Sequence, residues 1–68
     1  MAFNPGDVVV LVLKALGAIQ PVGRVCRRQN AGMCFVKFEE DWLGCRLTRD
    51  TSLRPAPPGT DAPECDGC

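Results

Sequence analysis

Asn4-Pro5-Gly6-Asp7-Val8-Val9-Val10-Leu11-Val12-Leu13 is the stretch whose reading decides the fold. Its first four residues make a turn, because proline presets φ and glycine accepts a positive φ. The six that follow are all aliphatic and four are valine. Such β-branched density over so short a run favours a strand. A helix from Val8 to Ile19 is the rival reading; the valines, Gly17 and the missing cap residue weigh against it. Even extended to Ile19, the apolar run falls short of the ~20 residues that span a bilayer.

Downstream, Gly17–Gly23 with Gln20-Pro21 reads as a loop, and Val22–Arg28 as the second strand. Gln29-Asn30-Ala31-Gly32 is a hairpin turn, since Asn and Gly tolerate left-handed backbone. Met33–Phe38 is the third strand, Glu39-Glu40-Asp41 a turn, and Trp42–Leu47 the fourth strand. Thr48–Leu53 has the makeup of a single helical turn before a final short strand. Residues 55–68 hold four prolines, two glycines and no large aliphatic side chain, the composition of a disordered tail. The expected fold is therefore all-β over residues 3–54, with that Pro-rich tail at 55–68.

Composition narrows the function. At 68 residues there is room for one domain. Eight Lys+Arg balance eight Asp+Glu, so no net charge draws the chain to nucleic acid or an anionic membrane. Neither histidine nor tyrosine is present, which removes the commonest general base. Glu39-Glu40-Asp41 sits in a turn with no partner base, and no phosphate loop or nucleophile motif occurs. The start Met1–Asp7 lacks the basic region of a secretory signal. A cytoplasmic protein with reduced thiols and no membrane association is expected.

Four segments carry a resemblance: Phe3-x-Pro5-Gly6-Asp7-x-Val9-x-Leu11, Pro21-x-Gly23-x-Val25, Val36-x-Phe38 and Leu53-Arg54-Pro55. Across residues 3–55 they resemble small SH3-like barrels of the Tudor and KOW sort. Short bacterial, plasmid and phage proteins, carried on mobile elements, share the same opening. The resemblance implies a five-stranded SH3-like barrel that binds nucleic acid, peptides or modified side chains. One relative by fold, the type II dihydrofolate reductase, is an enzyme that works as a tetramer. Its Val-Gln-Ile-Tyr segment is not found in this chain.

Given a barrel, strict alternation assigns faces. Val9, Leu11 and Leu13 point inward, and Val8, Val10 and Val12 form an outer aliphatic stripe suited to self-association or a partner. Cover by Ala15–Ile19 or by the tail is the alternative. Cys34, Val36, Phe38, Leu43, Cys45 and Leu47 go inside. Phe35, Lys37, Trp42 and Arg46 share an outer surface, with Arg24 and Arg28 on the neighbouring strand. Aromatics interleaved with Arg and Lys stack on bases and hold phosphates, or anchor a protein partner. Solvated basic strand faces and a packing Trp are the plainer explanation of the same residues.

The five cysteines are an odd set. Cys65-Asp66-Gly67-Cys68 has the spacing of half a zinc site or a redox pair, which barrel cysteines reached by a flexible tail would complete. The expected function is a non-catalytic binding module, acting through a barrel face on protein or single-stranded nucleic acid as an oligomer or subunit. No motif calls for a cofactor. The alternative is a small zinc-binding or thiol-dependent protein built on Cys65 and Cys68.

Overall fold

The computed structural model describes residues 3–12, 20–66 and 68. Five strands form: β1 (Val8–Leu11), β2 (Val22–Asn30), β3 (Met33–Phe38), β4 (Cys45–Arg49) and β5 (Leu53–Pro55). They make one antiparallel sheet in the order β4-β3-β2-β1-β5. The all-β expectation holds, and the ladder is open rather than closed on itself. Between β4 and β5 the expected single helical turn is a 3-10 turn over Asp50–Ser52. β1 ends at Leu11 rather than at the expected Leu13, with Val12 outside the strand; Leu13 itself and the loop before Gln20 lie outside the described residues. Among the described residues, no helix is long and apolar enough to cross a membrane.

Local chemistry explains the turns. In the opening turn Asn4 N–H donates to Asp7 Oδ2 at 2.8 Å and Asp7 N–H to the Asn4 carbonyl at 3.0 Å. Gly6 takes a φ of 95°, and its N–H donates to the Val25 carbonyl at 2.7 Å, docking the turn on β2. In the β2–β3 hairpin, Asn30 Oδ1 accepts the Gly32 N–H at 2.9 Å. The inner face of the sheet then packs Phe3, Val9, Leu11, Val25, Cys34, Val36, Phe38, Leu43 and Leu53 into one core.

Strict alternation fails at three places, a register shift between Arg28 and Asn30 beside the hairpin and two others that move candidate site residues. A register shift between Val25 and Arg27 places Arg27 opposite Phe35 and Arg28 opposite Cys34. This β-bulge sends Arg27 outward and turns Arg28 to the core side, the reverse of the expected Arg28 orientation. The second of these two is the β3–β4 turn. Leu43 and Gly44 N–H groups both reach the Glu40 carbonyl, and Gly44 adopts a φ of 58°. The strand resumes with Cys45 opposite Lys37 and Leu47 opposite Phe35. Cys45 and Leu47 therefore share the outer face, and Arg46, opposite Val36, shares the inner one.

In β1, Val9 and Leu11 enter the core as expected. The outer stripe is less open than alternation implied: Val10 keeps only 9% of its surface, and Val8 and Val12 are half-buried.

Candidate functional site

The outer face of β2, β3 and β4 is where most of the expected binding residues lie. Arg24 and Lys37 are opposite each other in register, yet both are already engaged by the chain's own C-terminal segment. Arg24 donates Nε–H to the Pro63 carbonyl at 3.2 Å and Nη2–H to the Ala62 carbonyl at 3.3 Å. Lys37 Nζ donates to the Asp66 carbonyl at 3.0 Å. Trp42 is exposed at 64% but sits in the β3–β4 turn rather than on a strand. Arg46 is exposed at the β4 edge, on the opposite side of the sheet from Phe35. The six residues expected to share one surface are thus divided among the outer face, the turn, the sheet edge and the core side.

Arg28 has a structural role. Its guanidinium meets Asp50 through Nη2–Oδ2 at 2.7 Å and Nη1–Oδ1 at 3.2 Å. It also donates to the carbonyls of Phe3, Asn30 and Ala31 at 2.9, 3.0 and 2.9 Å. One side chain therefore ties the N-terminal turn, the hairpin and the 3-10 turn together. The guanidinium hydrogen bonds hold the buried Asp50 carboxyl below the usual carboxylate range. Asp50 also lines a cavity of about 340 Å³ with Phe3, Thr51, Leu53, Arg54 and Pro55.

Beyond β5 the segment expected to be disordered crosses the outer face as a strap. Ala56 N–H donates to the Val8 carbonyl at 3.1 Å, and Ala62 and Pro63 then meet Arg24 on β2. Asp66 lies over Lys37 on β3. Two disulfides hold the strap, Cys26–Cys65 to β2 and Cys45–Cys68 to β4, with Cα separations of 5.6 and 5.5 Å. These bonds depart from the expectation of reduced thiols. They also separate Cys65 from Cys68, which join different strands instead of forming one site. β3 lies between Cys26 on β2 and Cys45 on β4, and Cys45 is in the row of Lys37 and Arg24. Among the described residues, no group of three or more Cys, Asp or Glu side chains is placed to hold a metal ion. Cys34 alone is free; it is buried on the inner face, and burial, then the Asp50 carboxylate, push its thiol up to about 11.

Past the strap, toward the β2–β3 hairpin, the outer face is open. The Arg27 guanidinium carbon lies 4.5 Å from the Phe35 ring centroid, and Leu47, 42% exposed, is directly opposite Phe35. Met33 and Arg49 form the next row. Arg27, Leu47 and Arg49 are residues that alternation did not select. Phe35 was selected and does lie there. No acidic side chain pairs with Arg27 or Arg49 among the described residues. The chemistry of this surface is apolar and aromatic contact flanked by cations.

No family model, curated protein or solved structure matches this chain.

Proposed function

We propose that this chain is a non-catalytic binding module of the SH3-like type, which engages an acidic protein segment through the outer face of β2–β4. The five antiparallel strands and the short helical turn before the last one support the SH3-like reading. The observation that carries the binding reading is the row Arg27–Phe35–Leu47, in which a half-buried Phe35 with a cation stacked on it lies beside an exposed Leu47. A protein partner is favoured over single-stranded nucleic acid by the state of the cations. Arg24, Lys37 and Arg28 all have carbonyl or carboxylate partners within the chain. Trp42 stands apart from the remaining aromatic, so no continuous base-stacking track supports the nucleic-acid reading. The half-buried Val8 and Val12 are the remaining basis for self-association.

Fluorescence anisotropy with a labelled Glu/Asp-rich peptide and a labelled single-stranded oligonucleotide, each across a salt series, tests the reading. Peptide binding is expected, with Leu47→Ala weakening it by about fivefold or more, as for an interface anchor. Oligonucleotide binding with a slope near about −0.7 per phosphate, indifferent to Leu47→Ala, would overturn it.

A further inference from the structure

The strap lies on the outer face as a peptide ligand would. Past a turn at Pro58-Gly59 it runs without helix or strand from Thr60 to Cys65 and presents the carbonyls of Ala62, Pro63 and Asp66 to Arg24 and Lys37; its sequence carries Asp61, Glu64 and Asp66, none of them in an ion pair among the described residues. It places no side chain in the core, whose members all fall between Phe3 and Leu53. Apart from the two disulfides, the hydrogen bonds that fasten its distal half to the sheet among the described residues are three, from Arg24 and Lys37. Those bonds alone do not offset the entropy lost in ordering the segment. The covalent links decide whether the strap stays down.

We infer that the strap is a redox-released cover, an internal stand-in for an acidic, extended peptide that takes its place once both disulfides are reduced. This inference rests on the binding reading above, and it adds Arg24 and Lys37 to the Arg27–Phe35–Leu47 surface. The reductant is a dithiol. One of its thiolates attacks the exposed Cys68 Sγ, forming a mixed disulfide and breaking the Cys45–Cys68 bond, so that Cys45 leaves as a thiolate and takes a proton. The second thiol of the reductant attacks the mixed disulfide, freeing Cys68 and leaving the reductant oxidised to its own disulfide. The same two-electron, two-proton exchange at the half-buried Cys26–Cys65 follows. Cys34 stays out of the exchange, because it lies on the other face of β3 and its thiol is little ionised at neutral pH. In an oxidising compartment the face is covered, and in a reducing one it is open.

Lys37 labelling reads the cover directly. The full chain is treated with an amine-reactive reagent with and without dithiothreitol, near about 15 °C where small domains are most stable, and Lys37 modification is followed by peptide mass. Circular dichroism is recorded alongside. Expected is a rise of about tenfold in the Lys37 labelling rate on reduction, with the β-sheet spectrum kept. A Cys45→Ser/Cys68→Ser variant, still holding Cys26–Cys65, is expected to label Lys37 faster than the parent without reductant. Unchanged labelling, or loss of the sheet on reduction, overturns the inference and shows the disulfides to be structural only. Binding of the Glu/Asp-rich peptide is then compared in the two redox states and is expected to tighten about tenfold on reduction. Release of the strap without tightening overturns the stand-in role. The binding reading itself is judged separately, by whether Leu47→Ala weakens the oxidised protein.

Discussion

Gly23 sits on the inner face between Val9 of β1 and Phe38 of β3, at a point where the strands leave no room for a side chain. A Cβ there would lie 2.6 Å from Val36 Cγ1 and 2.8 Å from Phe38 Cδ1. Gly23→Ala is therefore expected to destabilise the fold by about 1–3 kcal/mol, the usual cost of overpacking, seen as a lower urea midpoint. Asp50 makes a prediction in pH. Its carboxyl is held below the ordinary value in the folded state by Arg28, so the pair adds stability above the unfolded value near about 3.9. That stability drains away as pH falls through the lower folded value. Asp50→Asn should be less stable than the parent at pH 7, and the gap in urea midpoint should close as pH falls below about 4. A gap that stays constant down to acid pH would mean that charge is not what Asp50 contributes. Gly23 was readable within its Pro21-x-Gly23-x-Val25 pattern; the pairing of Arg28 with Asp50 was not, because it spans 22 positions of sequence.

At the level of strands, β2 and β4 show how far counting alternate residues carries and where it stops. Aliphatic density at Val8–Leu11 and the Asn30–Gly32 turn were enough to find β1, β2 and β3, and β3 has the expected boundaries, Met33–Phe38. One extra residue in β2 then reverses the phase at Arg27 and Arg28, before a second shift ahead of Asn30, and nothing in Val25-Cys26-Arg27-Arg28 announces it. The β3–β4 turn does the same for Cys45–Arg49. The observed phase makes opposite claims for two leucines that alternation placed together. Leu43→Ala should cost about 2–5 kcal/mol, since Leu43 belongs to the core. Leu47→Lys should change stability by no more than about 0.5 kcal/mol, because Leu47 is on the open outer face. Equilibrium unfolding of the two variants side by side checks the register.

Over the whole molecule the two disulfides interleave, Cys26 with Cys65 and Cys45 with Cys68, closing spans of 39 and 23 residues. Spacing cannot reveal such a pairing, because five cysteines leave many combinations open and the partners meet only after the strap has crossed the sheet. In the chain-entropy account a closed span of 39 residues stabilises by up to about 4 kcal/mol. Cys65→Ser should accordingly lower the melting temperature by well over 10 °C at about 4–8 °C per kcal/mol, while the spectrum below the transition remains that of a β-sheet. The same Cys26–Cys65 bond has a mechanical consequence. A pull applied at the two ends runs from the N-terminal part through Cys26 and across the sulfurs to Cys65, bypassing β3, β4 and β5. While Cys45–Cys68 stays closed, cutting Cys26–Cys65 alone sends the load from Cys45 straight to Cys68, so the whole contour of the 39-residue span, about 130 Å at ~3.4 Å per residue, is freed only when both disulfides are reduced. In an optical trap, adding a dithiol under constant force should release that hidden length in an abrupt extension, so that the redox state of the protein is read as a distance.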